Sequence, residues 1–337
     1  MLDVLVVGAG VIGASVAWHL AVRGCRNVRV IDRAPEPGGG STSRATGGFR
    51  AQFGSDVNVR LSLLSRDKLR RFREEVGVDP GYRPTGYLFI ARREEDFARL
   101  RAAQAIQHAA GLTEARMVAE GAFCPTDGFI APMQILTGYM DAARSMGVRF
   151  DFGVEYVPDM RAGTIVNAAG AWAGQIADVP VQPRCRQILP TIGTGTLDPD
   201  GPMTIWLEDW FHFRVRDGRV LLLWPGGDER SEITVDAAWL DRVESITRER
   251  VPELAGVPVD RARAWAGLYE MSPDSHAIVG RVGDWVYANG SSGHGVMHAP
   301  AIGQIVSEII VDGVNRWPEL RPSRFAEGQP IQGVELL

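Results

Sequence analysis

The sequence predicts an α/β protein, with a Rossmann-like, parallel nucleotide-binding domain interleaved with a second domain on a mixed or antiparallel sheet. Three observations carry this. The chain opens on a strand–glycine turn–helix–strand unit, Leu2 to Asp32. A second apolar strand, Thr164 to Ala169, runs straight into another glycine turn, Gly170-Ala171-Trp172-Ala173-Gly174, that opens a helix. From Pro180 the composition changes, and proline and glycine punctuate short strands in the manner of an antiparallel sheet.

In the opening unit, Leu2 to Val7 is an apolar, β-branched run of the kind buried on both faces. Gly8, Gly10 and Gly13 follow in GxGxxG spacing, and helical periodicity continues from Ile12 to Arg23, where Gly24 stops it. Val28 to Ile31 is the second strand, ending on Asp32. Gly8 allows the tight turn, Gly10 lets a pyrophosphate approach the backbone, and Gly13 lets helix and strand pack closely. The unpaired N–H groups at the helix start face the phosphates, and Asp32 can accept hydrogen bonds from a ribose diol. The unit points to a dinucleotide without saying which one.

Residues 34–50, APEPGGGSTSRATGGFR, are too rich in proline and glycine for regular structure, and Ser41, Thr42, Ser43 and Arg44 offer hydroxyls and a cation to a cofactor's phosphates. Ser55 is placed to cap a helix whose buried face is Val59, Leu61, Leu64, Leu69 and Phe72 and which Gly77 ends. Gly86 to Ala91 reads as a strand; Glu94 to Ala110 reads as an amphipathic helix with Phe97, Leu100 and Ile106 inward. The turn-rich CPTDGFIAP (124–132) precedes a helix over Gln134 to Met146, and Val148 to Phe152 is a strand. Beyond Pro180 the strands are Gln187 to Leu189, Thr204 to Leu207, Trp210 to Val215 and Val220 to Trp224. Alternation puts Phe211 and Phe213 on one face and His212 and Arg214 on the other. A helix over Ala237 to Val251, a strand over Trp285 to Ala288 and a helix from about Met297 to Val311 complete the chain.

At 337 residues there is length for one large or two interleaved domains, and 45% hydrophobic with 23% charged residues is a globular composition. A net charge of −5 gives no electrostatic reason for a nucleic-acid partner. Lys68 is the only lysine, so almost no lysine is available for chemistry. Cys25, Cys124 and Cys185 have neither metal-ligand spacing nor a disulfide framework, and no apolar run reaches bilayer-spanning length. The expectations are reduced thiols, no metal, no membrane span and a cytoplasmic location.

Five segments occur in an order that resembles the FAD-dependent D-amino-acid oxidase superfamily. They are the N-terminal unit, STSRATGGFR, IVNAAGAW, LYEMSPDSHAIVG and ANGSSGHGVMHAPAIG. Within it the likeness is greatest to sarcosine oxidase of the β-subunit type and to related amino-acid dehydrogenases. The resemblance spans nearly the whole chain. It implies an FAD-binding domain over 1–82, 134–182 and 264–337, and a substrate-holding roof over 83–133 and 183–263. Gly8, Gly10, Gly13 and Asp32 would bind the ADP half, and Ser43 and Arg44 would lie near the diphosphate. Ala169 and Gly170 would pass close to the cofactor, and Gly293, His294, Gly295, Val296 and Met297 would surround the pyrimidine end of the flavin. Val11, Ile12, Arg33, Ser41, Ala45, Gly48 and Trp172 complete the expected cofactor shell. A helix starting near Met297 points its positive end where negative charge collects on reduction.

Arg50 matches the family arginine that pairs with the substrate carboxylate, Tyr269 the aromatic residue beside the substrate, and His212 a position where relatives often have a substrate-facing tyrosine. His294 is expected to hydrogen-bond within the cofactor loop, and His276 and His298 have no assigned role. Three departures matter. Gly267 stands where monomeric sarcosine oxidases carry the cysteine bonded to FAD, which implies dissociable FAD. Met297 replaces a lysine that helps bind the carboxylate, and no lysine is present to activate oxygen. The stretch Val154 to Gly163 is short, as for a trimmed peripheral hairpin. The implied reaction is oxidation of the CH–NH bond of a small amino acid or N-alkyl amino acid by hydride transfer to flavin N5, with oxygen or another electron acceptor. Two alternatives stay open: an NAD-dependent dehydrogenase sharing only the glycine fingerprint, and an FAD-binding subunit of a larger complex. Assembly with itself or with other chains stays open as well.

Overall fold

The computed structural model describes residues 3–227 and 229–336; Leu2, at the start of the expected first strand, lies outside them. In chain order the first strands are β1 (Val4–Val7), β2 (Val28–Asp32), β3 (Gly48–Phe49), β4 (Tyr87–Ile90), β5 (Arg116–Val118), β6 (Gly121–Cys124), β7 (Gly128–Phe129) and β8 (Arg149–Phe152). They continue as β9 (Thr164–Asn167), β10 (Gln182–Pro190), β11 (Met203–Trp206), β12 (His212–Arg216), β13 (Arg219–Leu223), β14 (Trp265–Met271), β15 (Ile278–Val282) and β16 (Trp285–Asn289). The helices are α1 (Val11–Val22), α2 (Asp56–Val76), α3 (Glu94–Ala109), α4 (Pro132–Ser145), α5 (Ala173–Ile176), α6 (Ala237–Arg250) and α7 (Gly295–Val311).

Two large sheets take all of these strands but β3 and β7, which pair with each other. The first has the order β15-β16-β9-β1-β2-β8 and is parallel except for the β15–β16 hairpin. β1 is its centre, with Val4 opposite Val28 on one side and Thr164 on the other. The chain reverses direction along the sheet at β1, so the crevice beyond Val7 and Asn167 is a topological switch point, the usual ligand position in such folds. The second sheet, β14-β10-β13-β12-β11-β4-β6-β5, is antiparallel apart from the parallel β4–β11 pair, which agrees with the mixed sheet expected beyond Pro180. β14 hydrogen-bonds along β10 from Gln182 to Ile188, so the chain belongs to the second sheet there and returns to the first only at β15.

α1 is buried on all sides because α4 and α7 pack against it as well as the sheet, so its sequence is apolar right round rather than striped. Ser55 caps α2 through Asn58 N at 3.4 Å, and Gly77 ends it in the left-handed region at φ 95°. In α3 the buried line is Asp96, Leu100, Ala103 and Gln107; Phe97 and Ile106, expected inward, are only half-buried beside it. Leu100 and Ala103 meet β4 in the core of the roof, and Arg93 forks onto Asp96 at 2.8 and 3.0 Å, so the helix presents a polar seam there. α7 begins at Gly295, two residues earlier than the periodicity indicates, since its first turn carries no amphipathic signal. The short Val154 to Gly163 segment forms no strand. Cys25, Cys124 and Cys185 are free thiols. Among the described residues there is no metal-binding cluster, and no helix is long and apolar enough to cross a membrane.

Candidate active site

A cavity of about 1430 Å³ runs from the glycine turn after β1, between the two sheets, to the start of α7. That exceeds the roughly 300–1,000 Å³ of an ordinary small-ligand pocket and has room for an extended cofactor beside a second small molecule. Of the residues expected in the cofactor shell, all but Gly13 and Ser43 line it.

The glycines at its base differ in what they do. Gly8 has φ 106°, and a Cβ there would stand 2.3 Å from Ala168 O, so this turn fits only against the end of β9. A Cβ on Gly13 would stand 1.9 Å from Gly8 O; its role is helix–strand packing. Gly10 is open, with only Thr42 Oγ1 near, at 3.5 Å. Val11 N donates to that same Thr42 hydroxyl at 3.2 Å, so the start of α1 already has a side-chain acceptor. Asp32 accepts from Ala9 N through Oδ2 and from Ala34 N through Oδ1, both at 2.8 Å, which orients its remaining lone pairs. The loop over 34–50 turns much of its polarity inward on itself. Ser41 Oγ donates to Leu268 O, Ser43 Oγ to Gly38 O, and Arg44 Nη1 to the carbonyls of Gly39 and Gly40. Arg33 stacks on Trp172, 4.4 Å from its centroid, at the cavity's outer edge.

At the other end the candidate substrate residues come together. Arg50 is 3% exposed, donates from Nη1 to Gln52 O at 2.7 Å, and stacks on Phe53 at 4.0 Å. Its Nη2 stands 3.4 Å from His294 Nε2, at the first turn of α7. Burial, opposed by Tyr87, Asp127 and Tyr269, lowers its pKa to about 10, so it remains a cation at neutral pH. Tyr269 packs against Gly293, whose φ of 92° and missing Cβ leave space for the ring. His212 Nδ1 pairs with Trp210 O at 2.7 Å, and Trp210 itself is held at φ 62°. Burial pulls His212 down to about 4, helped by Arg50, Arg186 and Arg214 and opposed by the Trp210 bond, so the ring is neutral. Met297 lines the cavity while Lys68 does not. A Cβ on Gly267 would come 3.0 Å from Arg44 Cβ.

Of four further charged side chains, Arg186 and Glu270 line the cavity and Arg214 and Asp127 stand behind it. Arg186 lines the cavity and stands over the Tyr269 ring at 5.6 Å. Arg214 is 3% exposed, and none of its guanidinium nitrogens has a hydrogen-bond partner among the described residues. Asp127 is buried behind Arg50 and accepts from Ala51 N at 2.7 Å, Gln52 N at 3.3 Å and Gln52 Nε2 at 3.2 Å. Glu270 lines the cavity between Gly170 and Gly295, with Oε1 accepting from Ser291 N at 3.2 Å and Oε2 unpartnered. Strand alternation draws attention to His212 and Arg214, but nothing in the sequence distinguishes Arg186, Asp127 or Glu270 from ordinary surface charges.

The family described as FAD dependent oxidoreductase (DAO) matches residues 3–309. FAD-dependent oxidoreductase domain-containing protein 1 of Xenopus laevis is 26% identical, the match covering 92% of this chain and 79% of that protein. Glycine oxidase of Bacillus subtilis (strain 168) is 23% identical over 92% of this chain and 93% of its own. The crystal structure of L-proline dehydrogenase from P. horikoshii superposes with a TM-score of 0.86 at 27% identity, covering 97% of this chain and 98% of that one.

Proposed function

This chain belongs to the DAO family of FAD-dependent oxidoreductases, and on that premise we propose that it oxidises the carbon–nitrogen bond of a small amino acid or N-alkyl amino acid. One observation carries the substrate class. Arg50 is a buried cation with no ion pair among the described residues, and it lines the cavity where α7 begins. A buried charge needs a counter-charge, and a guanidinium fork fits a carboxylate. Arg186 and Arg214 add positive potential at the same end.

The residues present fit the cofactor. The open face of Gly10, the free lone pairs of Asp32, the unpartnered Glu270 Oε2 and the N–H groups at the start of α7 all border one continuous cavity. Asp32 would hold the ribose, the first turn of α1 with Thr42 the diphosphate, and the segment from Gly293 to Met297 the flavin's pyrimidine end. FAD, when bound, supplies the electron acceptor for the substrate's Cα–H. The chain's own residues orient and exclude water. Arg50 grips the carboxylate, Tyr269 and Phe53 wall the site, and His212, with Nδ1 committed to Trp210 O, offers Nε2 to the substrate amine. Because His212 stays neutral, it does not repel an ammonium group.

The test is anaerobic flavin bleaching by a panel containing glycine, proline, sarcosine, dimethylglycine and both enantiomers of common amino acids. At least one member should bleach the flavin, and admitting air then shows whether oxygen is the acceptor. No bleaching by any member overturns the reading in favour of a subunit that relays electrons within a larger complex. Gly267 offers no sulfur, so acid precipitation should release the FAD into the supernatant.

A further inference from the structure

We propose that Glu270 is a cofactor-binding residue that works as a neutral acid, its Oε2–H donating a hydrogen bond to a carbonyl oxygen or ring nitrogen of the bound flavin. The inference rests on FAD being the cofactor and is independent of which substrate is oxidised.

The geometry leads here. β14 brings Glu270 beneath two glycine turns at once. A Cβ on Gly170 would stand 3.9 Å from Oε2, and one on Gly295 would stand 3.8 Å from Oε1. The carboxyl thus spans the gap between the turn after β9 and the first residue of α7, the two elements that close on the middle of the cavity. Oε1 is committed as an acceptor from Ser291 N at 3.2 Å. Oε2 is buried and has no hydrogen-bond partner among the described residues, and the Ser291 hydroxyl, likewise unpartnered there, is near enough to oppose the effect of burial on the carboxyl. A carboxylic acid whose one oxygen already accepts carries its proton on the other, and that proton needs an acceptor. The isoalloxazine edge offers carbonyl oxygens and unprotonated ring nitrogens.

The charged and titratable groups around it leave it uncompensated. Its own strand contributes Tyr269; β10 alongside contributes Arg184, Cys185 and Arg186, with Arg184 paired to Glu229 at 2.7 Å. The preceding loop contributes His294, α7 contributes His298, and the turn from Gly170 to Trp172 contributes no charge. Among the described residues, Tyr269, Arg184, Arg186 and His298 make no hydrogen bond to the carboxyl. Burial, opposed by Ser291 and Gly290, pushes Glu270 up to about 7. The sign of the linkage follows. A donor bond to the flavin raises the acid's pKa further, so the affinity it contributes is complete while the free acid is protonated and is lost as pH rises above that point.

Dilution of holoenzyme between about pH 6 and about pH 9, with released flavin read by fluorescence, measures this directly. The Kd for FAD should rise about tenfold per pH unit once free Glu270 ionises. In Glu270→Gln, where an amide N–H replaces the acid proton, Kd should match the low-pH wild-type value and stay flat. In Glu270→Ala it should be flat and weaker at every pH. A wild-type Kd that is flat, or that falls as pH rises because an ionised Glu270 accepts from the flavin, overturns the proposal. So does a Gln variant as weak as the Ala variant. Protein that retains no flavin at any pH would instead count against the cofactor assignment.

Discussion

Arg50 is held by residues that would not draw notice in a list of catalytic types. Asp127 fastens the backbone on either side of Ala51, and Gln52 O in turn accepts from the guanidinium. Replacing Arg50 with Ala removes the charged fork, and KM for a carboxylate substrate should rise about 10- to 150-fold, the equivalent of about 1.5–3 kcal/mol. An unchanged KM would take Arg50 out of the site. Asp127→Ala leaves two N–H groups of the Arg50 segment without acceptors and should raise KM in the same direction without touching substrate. Flavin content in that variant should be preserved, and a loss of FAD with unchanged KM would contradict the assignment. Arg50 and Tyr269 are visible in the sequence because they sit inside recognisable motifs. Asp127 and Arg186 lie outside them and Glu270 is the neighbour of Tyr269 in the same motif, yet what marks all three is a missing or a distant partner, which only folding creates.

The elements show a similar division. β1, α1 and β2 fall within a residue or two of where hydrophobic pattern and glycines place them, since each is stabilised by its immediate neighbours. The strand character of β14 is hidden inside a segment read as a motif, because pairing with β10, far away in sequence, decides it. α1 depends on small residues where it meets α7. A Cβ on Gly303 would stand 2.2 Å from Ser15 Oγ, and the Ser15 hydroxyl donates to Ala299 O at 2.8 Å. Gly303→Val should therefore push α7 off α1 and cost about 1–3 kcal/mol from overpacking. A melting temperature within a degree or so of wild type would show that the helices yield without cost. Because α7 carries the expected flavin end of the site, that variant should also bind FAD more weakly, as flavin absorbance per mole of protein will report.

At the scale of the molecule, the two-sheet plan is legible from the composition change at Pro180, whereas the closing of the cavity by the last residues is not. Ile331 to Leu336 line the cavity, and Val334 N donates to Gly54 O at 2.8 Å. This tail is moored by a buried fork in which Arg324 Nε and Nη2 each meet Asp274 at 2.8 Å, while Ile331 N donates to Oδ2 at 3.0 Å. Burial alone raises Asp274, but the Arg324 and Ile331 bonds outweigh it and hold the carboxyl below its ordinary value. Its contribution is therefore present above the unfolded pKa and fades as pH falls through the lower, folded one. Asp127 and Glu270 act in the opposite sense, being raised by burial to about 6 and about 7. From those values down to the ordinary carboxylate range, the folded protein holds protons that the unfolded chain has released. Each such group adds stability at about 1.4 kcal/mol per pH unit as pH falls. Four buried histidines oppose them and prevail: burial holds His19, His212, His276 and His298 below their ordinary value, so below about pH 6.5 the unfolded chain takes up protons that the fold refuses, and the flavin-free protein should melt lower near about pH 5 than near about pH 7.5. In Glu270→Gln the fall between neutral and about pH 5 should be steeper, since only Asp127 remains to offset the histidines. A melting temperature that falls equally in both proteins would mean that Glu270 is already ionised in the fold.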